Sequence, residues 1–411
     1  MPRLPRDAWI VLGGDALSAL GSGLTLPFLL VYLHAVRGIG LGLAGLALST
    51  IALVGLVGNP LGGVLSDRVG ARNTLAVGLF LSAAGTFSLA LVHDVWHAFA
   101  ATALLGLGAG IAWPALDALL AGVAGVQQRS SIFALRHATF NAGLGLGAVV
   151  GGLTVVGSSP AAFELIYALE ALSLIAFLFV LFLVPNRVGS EAEPRAGAPS
   201  ATSRQIFRDR TFLRVWVLTA LLVTVGYAQY SAAFPAYATE AGGLSPRGLS
   251  LAFAANTLAV VAGQLLVLRA LAGRRRSHAL ALVGVAWACA WAVTLAGGAA
   301  GGSLGAAPFV LAMILLALGE TLVAPTVPAL VNDIAPEELR GRYNGVSALA
   351  WTSGFIAGPA IAGLVLAAGA GEVLFLGLIA ACVIAAACAL RLERALPAGT
   401  RVVPLAHGAT A

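Results

Sequence analysis

The sequence predicts an all-α membrane protein with twelve transmembrane helices in two pseudo-symmetric six-helix halves. Three observations carry this. First, of 411 residues, 59% are hydrophobic and only 10% are charged, whereas a soluble chain runs about 45–50% apolar and about 25% charged. Second, the apolar residues fall in runs too long and too uniform for barrel strands. Third, the arginines collect on one side when those runs are made to alternate across a bilayer. A soluble enzyme, a disordered chain and a nucleic-acid-binding module are therefore excluded.

The elements follow in order. The N-terminus begins Met-Pro-Arg-Leu-Pro-Arg and then turns apolar. It has the charge of a signal peptide but no small-x-small cleavage site, and Asp15 interrupts its apolar core, so it reads as a retained first span. The first half holds spans at 9–33, 41–65, 74–92, 97–123, 132–156 and 162–184. Residues 185–212 form the long polar segment, rich in Pro, Gly, Ser and Arg, which reads as a linker. The second half holds spans at 213–239, 247–271, 278–298, 305–332, 343–369 and 372–391, with Gly-rich hairpins near 297–307 and 366–372. The domains expected are thus 1–184 and 213–411, joined by 185–212.

Charge fixes the orientation. All 23 basic residues are Arg, and the lack of Lys reads as genomic base composition. With the N-terminus in the cytoplasm, 20 of the 23 fall in cytoplasmic segments, among them Arg68, Arg72, Arg129, Arg340 and Arg342. Arg37 and Arg247 fall outside, and Arg136 lies within a span. One helix more or fewer would reverse every later loop and spoil this sorting. Both termini are expected in the cytoplasm, and the net charge of +6 reads as cytoplasmic arginine, not a nucleic-acid footprint. Cys289, Cys382 and Cys388 lie scattered in apolar stretches and offer no disulfide or metal framework.

The halves resemble each other. With a shift of 211 residues, Gly108 meets Gly319, Pro114 meets Pro325 and Arg129 meets Arg340. In the same register Gly143, Gly147 and Gly152 meet Gly354, Gly358 and Gly363. This reads as a parallel duplication about an axis along the membrane normal.

The loop after the second span reads Gly63-Val64-Leu65-Ser66-Asp67-Arg68-Val69-Gly70-Ala71-Arg72. It resembles the signature of the major facilitator superfamily, Gly-x-x-x-Asp-Arg-x-Gly-Arg-Arg/Lys, departing at Ala71. The twelve spans, the duplication and the basic linker extend the resemblance over essentially the whole chain. Gly63 would let the second helix approach another backbone, and Gly70 would permit the tight turn. The resemblance implies that Asp67 accepts from a helix N-terminus near Tyr343. It also implies that Asp117 pairs with Arg68 or Arg72, making a cytoplasmic latch. The fifth span carries Gly143, Gly147, Gly151 and Gly152, which resemble the family's antiporter motif except that Ala148 stands where Pro is usual; Pro359 sits in the eleventh span instead. Thr102 occupies the place of the intramembrane Arg of related drug antiporters.

Four carboxylates lie well inside the spans, away from their ends: Asp15, Asp117, Glu170 and Glu320. A charge at mid-bilayer costs about 2.5–3.5 kcal/mol, so such groups face a cavity or a partner. A carboxyl shielded from water can load and unload protons near neutral pH. Asp15 and Glu320, one in each half, are the leading proton-coupling pair, with Glu170 the third candidate. Arg136, His137 and Asn141 share the fifth span, and His137 and Asn141 lie one turn apart. They join Tyr227, Gln229, Tyr230, Asn256, Gln264 and Trp351 as candidates to line a substrate cavity. Trp113 and Phe140 would add aromatic surface. For each, helix packing or a structural pair is the competing reading.

No Walker A or HExxH sequence occurs. An enzyme is therefore disfavoured, and neither cofactor nor metal is expected. The reading is a secondary transporter working by alternating access. Its resemblance to bacterial multidrug-type exporters implies proton-coupled efflux of small amphiphilic compounds. The alternative is proton-coupled uptake of a small metabolite, and an intramembrane enzyme is a remote third. The expected setting is the inner (plasma) membrane, the expected partners are a small-molecule substrate, protons and lipid, and the unit is a functional monomer.

Overall fold

A bilayer offers the backbone no water, so apolar segments satisfy their N–H and C=O groups internally as helices. The computed structural model describes residues 4–123, 128–155, 159–185, 206 and 208–403. Most of the expected linker, with Arg187, Arg195 and Arg204, lies outside them, as does the side chain of Arg129. Among the described residues no strand forms beyond one isolated bridge, Arg275 to Val402.

Ten helices are long and apolar enough to cross a membrane among the described residues. They are α1 (Arg6–Val36), α2 (Leu41–Val69), α3 (Ala71–Ala90), α4 (Val95–Val123), α6 (Pro160–Leu181), α7 (Arg210–Tyr230), α9 (Arg276–Ala299), α10 (Ala307–Ile334), α11 (Arg340–Ala367) and α12 (Gly371–Leu392). Two further long helices, α5 (Arg129–Thr154) and α8 (Pro246–Leu271), occupy the places of the fifth and eighth expected spans. Gly70 takes φ +86°, which turns α2 directly into α3. The Gly-rich hairpins turn through Gly301, Gly302 and Gly305, and through Gly369, all at positive φ.

Two helices are broken. Pro27 tightens α1 into a short 3-10 turn at Leu26–Phe28, and a π-helical turn follows at Tyr32–Val36. In α7 a π-helical turn covers Val223–Tyr227, and the helix stops at Tyr230 before resuming at Ala233–Glu240. Pro235 explains that stop, because its ring collides with the carbonyl four residues back, at Ser231. The π turn displaces the Val225 carbonyl, and the buried indole N–H of Trp291 donates to it at 2.8 Å.

Small residues set the helix packing, and matching positions make matching contacts. Gly143 and Gly147 of α5 lie against α1, at Ala16, Leu20 and Gly23. Their counterparts Gly354 and Gly358 of α11 lie against α7, at Val223, Thr224 and Ala228. Gly152 meets α8 at Ser250, and its counterpart Gly363 meets α2 at Gly45. A methyl group added at Gly363 would sit 2.8 Å from the Gly45 Cα, so these backbones touch. The shared register thus encodes two kinds of interface, one within each set of six helices and one between the sets.

The contacts between sets concentrate at one end. Gly42 and Gly45 near the start of α2 meet Gly363, Leu364 and Ala367 near the end of α11. Gly145 and Gly152 meet Thr257 and Ser250. One hydrophobic core runs across both sets here, including Leu41, Ala44, Leu48, Ala362 and Leu366. A second core, with Leu12, Leu75, Leu116, Leu120 and Phe177, draws only on the first six helices. At that other end Asp67, Arg68, Arg340 and Asn344 are exposed. The molecule is closed at the α1–α2 turn and open at the α2–α3 turn.

Candidate functional site

Three intramembrane carboxylates fall into two polar clusters, one in each set of helices. The first is built on Arg136 of α5. Its Nε donates to Asp15 Oδ2 of α1 at 3.2 Å, and its Nη1 donates to Asp117 Oδ1 of α4. The guanidinium also lies over the Trp113 ring, 4.9 Å from its centroid, and Trp113 meets Phe140 edge-on at 5.6 Å. The Asp15 side chain is 4% exposed and that of Asp117 is 52% exposed. Asp117 therefore faces the open end, Asp15 lies behind, and Arg136 connects them. One cation between two carboxylates leaves the group one charge negative when both are ionised. Nearby on α5, His137 is exposed and Asn141 half-buried, and the Asn141 amide donates to the His137 carbonyl at 2.8 Å.

The second cluster is built on Glu320 of α10. The Asn256 amide of α8 donates to its Oε1 at 2.9 Å and to the Met313 carbonyl at 3.1 Å. No basic side chain pairs with Glu320 among the described residues. Tyr227 and Tyr230 of α7 stand within electrostatic reach of it. Tyr227 lies between Trp351 of α11, 5.0 Å away, and Trp287 of α9, 5.5 Å away between ring centroids. Tyr230 meets Phe253 edge-on at 4.5 Å. A lone carboxylate beside aromatic faces suits a proton or an organic cation.

Several expectations change. Asp117 does not pair with Arg68 or Arg72; it pairs with Arg136, because α4 and α5 present these side chains to the same interior face. Arg72 instead donates to the Val184 carbonyl at 2.9 Å and lies over the Phe182 ring, bracing the end of α6. Asp67 is exposed and makes no hydrogen bond or ion pair among the described residues, since α2 and α11 meet at their other ends. Helix α11 also begins at Arg340, one turn before Tyr343. Open space surrounds Gly63; Gly62, a third of a turn away, makes the close approach, to Ile111 of α4. Asp15 and Glu320 are not brought together; each has its own cluster. Arg136 is committed to its two carboxylates.

Glu170 joins neither cluster. It is buried between α6 and α1, where the Thr25 hydroxyl donates to it at 2.5 Å. Gln229 is also buried; its amide donates to the carbonyls of Thr224 and Gly358, so it braces α7 against α11. The sequence reading missed Trp287. Its N–H donates to the Leu316 carbonyl at 2.9 Å, and Gly226 and Gly319 leave room for its ring. A tryptophan inside an apolar run needs a partner for its N–H, and that was the available signal.

Comparison with known proteins agrees with this architecture. The family model described as Major Facilitator Superfamily matches residues 11–299 and 233–408. An uncharacterized MFS-type transporter of Bacillus subtilis, YttB, is 26% identical over 369 residues, covering 88% of each chain. The quinolone resistance protein NorA of Staphylococcus aureus is 24% identical, over 84% of this chain and 86% of that one. Among solved structures, the nucleoside transporter NupG superposes with a TM-score of 0.73 at 13% identity, covering 94% of this chain and 99% of the other. The peptide transporter POT in complex with sulfate does so with a TM-score of 0.72 at 17% identity, covering 95% of each. The chain is thus a transporter, not an enzyme, and it belongs to the Major Facilitator Superfamily.

Proposed function

We propose that this transporter exports small amphiphilic compounds, with a preference for cations, in exchange for protons. One observation carries the reading: Glu320 is an intramembrane carboxylate that pairs with no basic side chain among the described residues, within electrostatic reach of Tyr227 and Tyr230. An ionised carboxylate there is costly. A proton or a cationic substrate removes that cost, and the two compete for one group. Mutually exclusive occupancy is the simplest chemistry of antiport. The likeness to a quinolone resistance protein supports the same direction.

In this reading the units 1–184 and 213–411 rock about their shared contacts, linked by 185–212. The termini and the open end face the cytoplasm, the protein sits in the plasma membrane, and one chain is the working unit. Asp117 meets cytoplasmic water, and when it takes up a proton it releases its share of the Arg136 guanidinium to Asp15. Expression in a pump-deficient host should lower accumulation of a cationic dye, and a protonophore should abolish the difference. Raised accumulation would instead indicate uptake and overturn the reading.

Asp67 has its role in the other conformation. When the cytoplasmic end closes, α11 approaches α2 and brings the positive end of its dipole to the Asp67 carboxylate. Asp67→Ala should therefore leave the melting temperature of the purified protein within a degree or two while cutting dye export severely. Undiminished export by this variant would remove Asp67 from the mechanism.

A further inference from the structure

The closed end is made by the two broken helix tips. The last turns of α1 pack against Ala233–Glu240 of α7. There His34 of α1 faces Glu240 of α7, with Nε2 3.4 Å from Oε1. The two side chains are 35% and 45% exposed. They border a cavity of about 390 Å³, with Leu30, Val31, Thr239 and Pro246 in its wall. Water can therefore reach the pair, although it joins the two sets of helices.

The hydrogen bonding of His34 decides what the contact means. Its Nδ1 lies 2.9 Å from the Ile39 carbonyl, which only accepts. Nδ1 therefore carries a hydrogen, and in a neutral ring Nε2 then has only a lone pair. That lone pair would face a carboxylate oxygen, which also has only lone pairs. The contact becomes attractive when one further proton enters the pair and His34 is cationic.

Other charges nearby have their own partners or stand apart. Arg37, one turn along, donates to Glu164 of α6, to the Tyr32 hydroxyl and to the Ala90 carbonyl, each at 2.8 Å. Tyr237 of α7 meets Phe375 at a tilt and feels Glu372 of α12. Arg247 opens α8 and is exposed, and the facing turns of α2 contain no titratable group. Glu240 has His34 as its charged neighbour.

We infer that His34 and Glu240 form a proton-binding latch that holds the outer end shut when occupied. The inference rests on the orientation proposed above, which places this end outside the cell. It adds a further proton site, distinct from the carboxylates in the membrane. A proton arriving from outside would favour the outward-closed state, so the same gradient that drives exchange would also reset the exporter toward the cytoplasm. Breaks at Pro27 and Pro235 let the two tips move without dragging the full helices.

The test needs no transport. Spin labels are placed at Trp96→Cys and Leu304→Cys, which are 82% and 59% exposed on the outer turns of the two sets, after removal of the three native cysteines. Distances across the outer end are measured in nanodiscs at about pH 5.5 and about pH 8. The ratio of short to long distances should rise roughly two- to fivefold on acidification, the range for a partly exposed ion pair. His34→Gln and Glu240→Gln should each abolish that response. His34→Arg, permanently charged, should give the short distance at both pH values. A pH-independent distance in the parent, or an unchanged response in His34→Gln, would overturn the latch. Since dye export is measured separately, a pH-dependent latch in a protein that fails to export would refute the export reading alone.

Discussion

Glu320→Gln will abolish proton-driven export while leaving the protein folded. The substitution keeps shape and the oxygen to which Asn256 donates at 2.9 Å. It leaves no basic partner stranded, because none pairs with Glu320 among the described residues. What it removes is the capacity to carry a charge, and with it the alternation between proton and cation. In proteoliposomes an imposed pH gradient should move a cationic dye through the parent, and through Glu320→Gln no faster than through empty vesicles. Dye binding should weaken as well, because the carboxylate attracts a cation that the nearby ring of Tyr227 also favours. The melting temperature should stay close to that of the parent. Gradient-driven flux that survives both Glu320→Gln and Asp15→Asn would sink the proton assignment altogether.

How far the sequence led can be judged on particular residues. The helices were legible because runs of about twenty apolar residues admit one solution in lipid. The internal repeat was legible because close approach of backbones demands glycine, and Gly152 and Gly363 meet α8 and α2 in equivalent ways. The break in α7 was legible in principle from Pro235, four residues after Ser231. Partners of charged groups were not. Asp117 was matched to Arg68 or Arg72 by resemblance, yet Arg136 reaches it across a helix interface no local pattern encodes. Arg136 and His137 are adjacent in sequence, but one helical step of about 100° sends the first inward and leaves the second exposed. Glu170 and Glu320 look alike as lone acids in apolar runs. Their neighbours separate them: Thr25 holds Glu170 inside a helix contact, while Asn256 presents Glu320 beside aromatic rings.

Loss of Arg136 should cause the largest fall in stability of any single substitution in the first cluster. The Arg136 side chain is 10% exposed, and its guanidinium holds Asp15 and Asp117 together and lies over Trp113. Arg136→Met keeps much of the apolar stem but leaves Asp15 with its charge shielded from water. Stranding a buried ion in this way costs about 3–5 kcal/mol, whereas removing both partners of such a pair is often close to neutral. Asp117 contributes little to that cost, since its half-exposed carboxylate is screened by water. Thermal unfolding of the purified protein should therefore show Arg136→Met well below the parent. Adding Asp15→Asn should recover most of the loss, and adding Asp117→Asn only a small part. Arg136→Lys should recover part, because an ammonium keeps the charge but lacks the planar fork that reaches two carboxylates at once. If Arg136→Met melts with the parent, the cluster is not held by charge. The double variant then separates support from transport. Arg136→Met with Asp15→Asn should be stable enough to purify, so any loss of pH-gradient-driven flux in it belongs to the charge switch that Arg136 makes between Asp117 and Asp15 and not to a weakened fold.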